Sequence, residues 1–291
     1  MIAIKLMGGL GNQMFQYAFA YALAQNRGEE FWLDISHYSH DTLRRYELDV
    51  FNILERLLEK ERAQKLVYAP ESFLRKFFRK LANAPRPYAP TYYKEPHFHF
   101  DESVVTRQSK RYFEGYWQSE KYFFRYRNDL LEHFSLRNPV HAETLSYARA
   151  IEKSTAVSLH VRRGDYVSDE KTKSFHGVCS LDYYEKAAEK ILGLEPSAVF
   201  FVFSDDLAWA KKHLRFLPEK AFVELPAEVP AAEEMHLMAL CRHNVIANST
   251  FSWWGAWLNQ NPKKVVIAPK NWFANETVKT SDIYPEGWIK L

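Results

Sequence analysis

Residues 157–166 read V-S-L-H-V-R-R-G-D-Y, an apolar, β-branched run that stops abruptly in Arg162 and Arg163 before Gly164 and Asp165. Such a run suits an inner strand of a parallel sheet, and open α/β sheets bind ligands at the carboxyl ends of such strands. Two adjacent guanidiniums are planar, permanently charged forks matched to phosphate oxygens. Gly164 permits a sharp turn, and Asp165 can hold one fork in place. The stretch predicts a diphosphate clamp. An arginine pair is also a common surface feature, and its place at a strand end is what separates the two readings.

The residues around this strand alternate short apolar strands with helices of ten or so residues. Ser180 can cap a helix to about residue 192. A strand over 199–203 ends in Ser204-Asp205-Asp206, a helix covers about 232–241, and a strand over 245–247 leads through Asn248-Ser249-Thr250 into F-S-W-W-G-A-W-L. A strand over 265–268 closes on Pro269. This is the pattern of a parallel sheet covered on both faces. Three polar turns then open on one edge. The arginines would neutralise a diphosphate, Ser249 and Thr250 would add hydroxyl and backbone N–H donors at a helix start, and Asp205 or Asp206 could accept two N–H bonds from a guanine edge. The plainer role for Asp205, Ser249 and Thr250 is helix capping. His160, inside the strand, reads as an orienting or core histidine before it reads as a base.

The first half begins with a strand over 2–7, a glycine turn at 8–11, Asn12 as the N-cap of a helix to about residue 26, Gly28 as its stop, and a strand over 31–33 ending in Asp34. That order resembles the dinucleotide fingerprint, but Met14 stands where a third glycine would let helix and strand pack closely. The segment 73–81 has Phe73, Phe77, Phe78 and Leu81 at helical spacing among four cations. It fits a helix packed against its domain or one lying on a membrane surface. Residues 82–90, A-N-A-P-R-P-Y-A-P, form a connector. The aromatic stretch 111–124 offers Glu114, Tyr116, Trp117 and Gln118 as a carbohydrate surface, or as half-buried core strands. A helix over about 122–134 precedes a break at Asn138-Pro139.

The 291 residues suit two domains, taken as 1–150 and 151–291. A net charge of +3 is too small for a nucleic-acid binder, so any anion is met by a local cluster. Two cysteines without C-x-x-C spacing support neither a disulfide scaffold nor a zinc ribbon, and suit a reducing compartment. The start, M-I-A-I-K-L-M-G-G, reads as a strand entering a turn and lacks the pattern of a signal peptide. No run reaches the ~18 apolar residues of a membrane span, so a soluble or peripheral protein is expected. His97 and His99 lack a third ligand at suitable spacing, and no metal site is expected.

Four ordered motifs, G-G-L-G-N-Q-M-F-Q-Y at 8–17, H-V-R-R-G-D-Y at 160–166, F-S-D-D at 203–206 and N-S-T-F-S-W-W-G-A-W-L at 248–258, resemble the bacterial members of the α-1,2-fucosyltransferase family. The resemblance implies a GT-B fold, with two Rossmann-like domains facing a cleft and the second holding GDP-β-L-fucose. It implies transfer of fucose to the 2-hydroxyl of a terminal galactose with inversion, without a metal or other cofactor, by a cytoplasmic bacterial enzyme that is soluble or peripheral at the inner membrane. By the same resemblance Arg162 and Arg163 would touch the β-phosphate, and His160 and Asp165 would shape their turn. Ser204, Asn248, Ser249, Thr250 and Phe251 would line the donor, and Asp205 or Asp206 would meet the guanine. Gly11, Asn12 and Gln13 would reach toward the pyrophosphate and fucose, and the first domain, with Glu114, Tyr116, Trp117 and Gln118, would hold the acceptor. Asp165, Glu114, Asp34 and His160 are the candidates for a base. The rival readings are another GDP-sugar transferase, a dinucleotide oxidoreductase and a sugar-binding module.

Overall fold

The computed structural model describes residues 1–138, 140–164, 177–275 and 277–291. The chain divides into two compact units, Met1–Ser135 and Leu136–Leu291. The break falls before the expected boundary at 150/151 because the helix at Ala142–Glu152 packs on the second unit. Ile151 joins a cluster with Phe201 and Leu237, and His141 at the helix start gives its backbone N–H to Glu233 at 3.0 Å, with Nδ1 2.6 Å from the same carboxylate.

The first unit contains β1 (Ile2–Lys5), α1 (Leu10–Arg27), β2 (Phe31–Asp34), α2 (Lys60–Val67), α3 (Phe73–Leu81), β3 (Tyr92–Lys94), α4 (Ser103–Thr106), β4 (Tyr112–Glu114) and α5 (Arg127–His133). Its four strands pair in the order β2-β1-β4-β3, all parallel. Helix α1 is apolar almost all round and buried from Leu10 to Ala24 apart from Asn12, as expected of a helix covered on every side. It starts earlier than the predicted cap at Asn12. Gly9 is the N-cap, and its carbonyl accepts the N–H groups of Asn12 and Gln13 at 2.9 and 3.1 Å. The predicted stop holds: Gly28 takes the left-handed φ of 63°, which costs a residue without Cβ nothing. The helix expected over 122–134 is shorter, because two 3-10 turns, Glu120–Tyr122 and Phe124–Tyr126, precede α5. Helix α3 has the predicted extent, but no residue in it is buried. Packing against the domain is therefore overturned for this segment.

The second unit contains α6 (Ala142–Glu152), β5 (Thr155–Val161), α7 (Leu181–Leu194), β6 (Ala198–Ser204), α8 (Leu207–His213), β7 (Lys220–Phe222), α9 (Ala231–Leu240), β8 (His243–Val245), α10 (Thr250–Leu258), β9 (Val266–Ala268) and β10 (Ile289–Lys290). Its sheet runs β10-β9-β8-β5-β6-β7, entirely parallel. From β5 the chain moves one way through β6 and β7, then returns to the other side of β5 through β8. The strand order therefore reverses between β5 and β8, which is where such sheets open a ligand crevice beyond their carboxyl ends.

Strand β5 is buried on both faces. Val157, Leu159 and Val161 pack with Tyr184, Ala188 and Ile191 of α7, and Ala156 packs on the opposite side with Phe201 and Leu237. Each fully buried Val or Leu contributes about 1.5–3 kcal/mol. A one-residue slip against β6, where Val157 pairs with Phe200, would invert every side chain. The register that buries this run is thus also the one that delivers Arg162 and Arg163 to the sheet edge. No helix among the described residues is long and apolar enough to cross a membrane.

Candidate functional site

The two arginines leave β5 and meet the turn that follows β6. The Asp205 carboxylate accepts the backbone N–H of Arg163 at 2.8 Å with Oδ1 and that of Gly164 at 3.0 Å with Oδ2. The same Oδ2 lies 3.0 Å from the Arg162 guanidinium. A Cβ on residue 164 would sit 2.7 Å from Asp205 Oδ2, so only glycine allows this approach. Asp205 therefore does the fork-holding work expected of Asp165, which lies outside the described residues. Both oxygens of Asp205 are engaged by this turn, and Asp205 is corrected as a helix cap. The cap is Asp206, whose Oδ1 accepts from Trp209 N–H at 3.0 Å. Ser204 supports this turn through its hydroxyl, 2.9 Å from Asp206 N.

Arg163 is held differently. Its guanidinium carbon lies 4.2 Å from the ring centroid of Trp209, and Nε is 3.6 Å from Asp206 Oδ2. Nε is buried without a hydrogen-bond partner. A cation over an indole face, with a carboxylate just beyond hydrogen-bond range, is fixed in direction while retaining donors for an incoming anion.

His160 is buried on the β5 face opposite α7, and its ring lies 5.9 Å from that of Phe251. Burial, with the Arg162 charge beside it, lowers its pKa to about 3, so the imidazole stays neutral and is a poor proton acceptor at neutral pH. Asn248 is corrected from donor contact to scaffold. It is 3% exposed, its Nδ2 donates to the carbonyls of Gly177 and Trp272, both at 3.3 Å, and its Oδ1 accepts from Cys179 Sγ at 3.6 Å. Ser249 caps α10, accepting from Phe251 N–H at 3.3 Å. Thr250 and Phe251 are half-buried at that helix start. A cavity of about 310 Å³ opens beside Asn248, lined also by Cys179, Tyr183, Lys270 and Phe273. Of the residues expected to bind the donor, Asn248 is the one that lines it.

In the first unit most of the chosen polar groups are turned inward. Gln13 has no exposed surface. Its Nε2 donates to the carbonyls of Gly8 and Arg45 at 3.1 and 2.8 Å, and its Oε1 accepts from Glu47 N–H at 2.9 Å. It latches the 45–47 loop to the glycine turn, which corrects its expected reach toward a ligand. Gly11 is buried, and half-buried Asn12 accepts from Gln118 Nε2 at 2.8 Å. Trp117 is also corrected. It is 1% exposed and stacks on Phe19 with centroids 4.0 Å apart, as a core residue. Glu114 pairs with Lys5 at 3.2 Å and accepts from Tyr92 Oη at 3.1 Å. Asp34 accepts from Tyr112 Oη and from Ser36 N–H. Of the four residues expected to meet an acceptor, Tyr116 presents the most surface, at 40%.

Three residues of these sites escaped the sequence. Trp209 orients Arg163, yet it reads as an ordinary apolar helix residue. Glu234, in the first turn of α9, has its carboxyl raised to about 7 by burial and by the Asp205 charge, against the pull of Arg162. From sequence, Glu233-Glu234 is the usual acidic start of a helix. Glu95 receives the N–H groups of Tyr116 and Trp117 at 2.6 and 3.1 Å, and burial raises it to about 7. Its signal is weak, a lone acid before a proline. Among the described residues no group of three His, Cys, Asp or Glu side chains is arranged to hold a metal ion.

The model described as Glycosyl transferase family 11 matches residues 1–291. An alpha-1,2-colitosyltransferase of Escherichia coli is 33% identical over 100% of this chain and 98% of its own length. The galactoside 2-alpha-L-fucosyltransferase Sec1 of Mus musculus is 29% identical over 89% of this chain and 64% of its own length. A variant of Arabidopsis thaliana FUT1 in complex with GDP superposes over 99% of this chain and 75% of that one, with a TM-score of 0.53 at 16% identity. At that identity the likeness is one of fold, the GT-B type built of parallel α/β units.

Proposed function

The chain belongs to glycosyl transferase family 11, and from that premise we propose that it moves L-fucose from GDP-β-L-fucose to the 2-hydroxyl of a terminal galactose, with inversion and without a metal. The observation that carries this reading is the arginine turn. Arg162 is locked on Asp205 at 3.0 Å while Arg163 lies over the Trp209 ring beside the Asp206 carboxylate. Negative charge builds on the β-phosphate as its bond to the sugar breaks. Fixed cations aimed at that charge need no reorganisation at the moment of reaction, and such preorganisation is usually the largest catalytic contribution. The Thr250–Phe251 helix start, at the neighbouring strand end, suits the same phosphates.

The acceptor hydroxyl must lose a proton. His160 is held neutral with a pKa near 3, and Glu114 and Asp34 are engaged with Lys5, Tyr92 and Tyr112. Asp165, the fourth candidate, lies outside the described residues, and we take the step to be one in which leaving-group stabilisation dominates and the proton departs late. The acceptor would stand against Tyr116. The two free thiols suit a reducing, cytoplasmic setting.

A second reading is favoured by the 33% identity to an alpha-1,2-colitosyltransferase: the donor sugar is colitose, the 3-deoxy counterpart of L-fucose. The two donors differ by one hydroxyl. A pocket built to hydrogen-bond that hydroxyl rejects the deoxy sugar by about 10⁴-fold or more, whereas an apolar pocket discriminates by only about a hundredfold. The test incubates the protein with GDP-fucose or GDP-colitose and a panel of galactosides in the presence of EDTA, followed by linkage analysis. An α-1,2-fucosyl product formed at the higher kcat/KM supports the first reading. Preference for GDP-colitose establishes the second, and no product from either contradicts both.

A further inference from the structure

Helix α3 rides on an arm that leaves the first unit and returns to it. Tyr68 and Tyr88 form an antiparallel bridge. Around it Ala69 N–H donates to Pro87 O at 3.0 Å and Ala89 N–H to Val67 O at 2.8 Å. The rings of Tyr68 and Tyr88 stack at 5.9 Å, and Tyr88 stacks on Tyr92 at 4.4 Å. Beyond this neck, Glu71 accepts from Arg79 Nε at 2.8 Å and lies 3.7 Å from Arg86 Nε, tying the last turn of the helix and the segment after it to a carboxylate that precedes it. The arm is thus held at its base, yet no residue over 70–88 is buried.

The helix divides cleanly. At about 100° per residue, Phe73, Leu74, Phe77, Phe78 and Leu81 share one arc of about 140°, and Arg75, Lys76, Arg79 and Lys80 fill the opposite arc. The apolar arc faces solvent, with Phe73 82% and Leu81 75% exposed. The charge is concentrated here as well. Residues 69–88 hold five cations and one acid, a net +4 that exceeds the +3 of the whole chain.

We propose that α3 is a membrane-docking element that lies in the plane of an anionic lipid surface, its aromatic face in the acyl boundary and its cations at the phosphates. An apolar arc bordered by basic side chains is the arrangement that such a surface complements on both counts. A second copy of the chain would cover the apolar arc but would bring another +4 arm against the first. The arm tethers the first unit to the surface, whatever donor the second unit takes.

Flotation of the full chain with vesicles tests this. Vesicles of phosphatidylcholine and phosphatidylglycerol in about a 3:1 ratio are expected to carry the protein, and phosphatidylcholine alone is not. Salt at about 0.5 M weakens the association. Phe77→Ser with Phe78→Ser removes binding. Arg75→Gln with Lys76→Gln and Lys80→Gln lowers the partition coefficient about a hundredfold, since each cation near the surface is worth a factor of about five. Both variants should melt with the parent protein, because the altered side chains touch no core. The proposal fails if the parent does not float with anionic vesicles, or if both variants float equally well. It also fails if light scattering shows self-association, or binding to an acidic protein, that the Phe77/Phe78 variant abolishes while vesicles do not compete.

Discussion

The glycine turn after β1 and the arginine turn after β5 occupy equivalent places, each at the carboxyl end of a parallel strand, and they handle polarity in opposite ways. In the first, Gln13 lies wholly inside the protein with both ends of its amide bonded to backbone. In the second, Arg163 is aimed by a ring face and a loosely placed carboxylate and stays partly exposed. A polar side chain whose bonds are all internal builds a scaffold. A cation held in direction at the open end of a strand, with part of its guanidinium still exposed, is placed to meet an anion.

This contrast can be broken first by deleting one side chain from each turn. Arg163→Ala should lower kcat by about 10²–10³-fold at saturating substrates, the loss seen when one preorganised transition-state donor is removed, and should leave the urea midpoint almost unmoved. Gln13→Ala should do the reverse. Three part-buried backbone groups lose their partners and a buried side chain is truncated, so stability should fall by about 1–3 kcal/mol in urea titrations, while kcat of the folded enzyme stays within about tenfold. A Gln13 variant that folds normally but cannot turn over would erase the distinction.

A smaller effect sharpens it. The Glu234 carboxyl is raised from 4.5 to about 7, so the folded state keeps a proton that the unfolded chain has lost. The stability this provides is present below about pH 4.5 and declines as pH rises toward about 7. Glu234→Gln should therefore flatten the fall of Tm across that window. His160, lowered to about 3, gives a slope of the opposite sign below pH 6.5, and this is common to both proteins. Parallel Tm–pH curves would show that Glu234 does not titrate beside the arginine turn.

Strand β5 was legible because burial on both faces leaves one composition available to it, and the arginines were legible because they interrupt that composition at once. The holder of the turn was not. Asp165 is adjacent in sequence, whereas Asp205 comes from the next strand, and only the β5–β6 pairing that sets Val161 beside Ser204 brings it there. Within Asp205-Asp206 the two carboxylates are chemically identical in sequence. Their jobs separate only when α8 starts one residue after Asp206. Trp117 and Tyr116 show the same limit for aromatics, since neighbours of similar composition differ by burial at 1% and exposure at 40%. Helix α3 was legible as a helix from its period, but its apolar arc pointed to a core that is not there.

Calorimetric titration with GDP and with GMP, which lacks the β-phosphate, isolates what the arginine turn contributes. The parent protein should bind GDP far more tightly than GMP, and Arg163→Ala should lose that preference while keeping its affinity for GMP. A preference for GDP that survives undiminished in the variant would contradict the account.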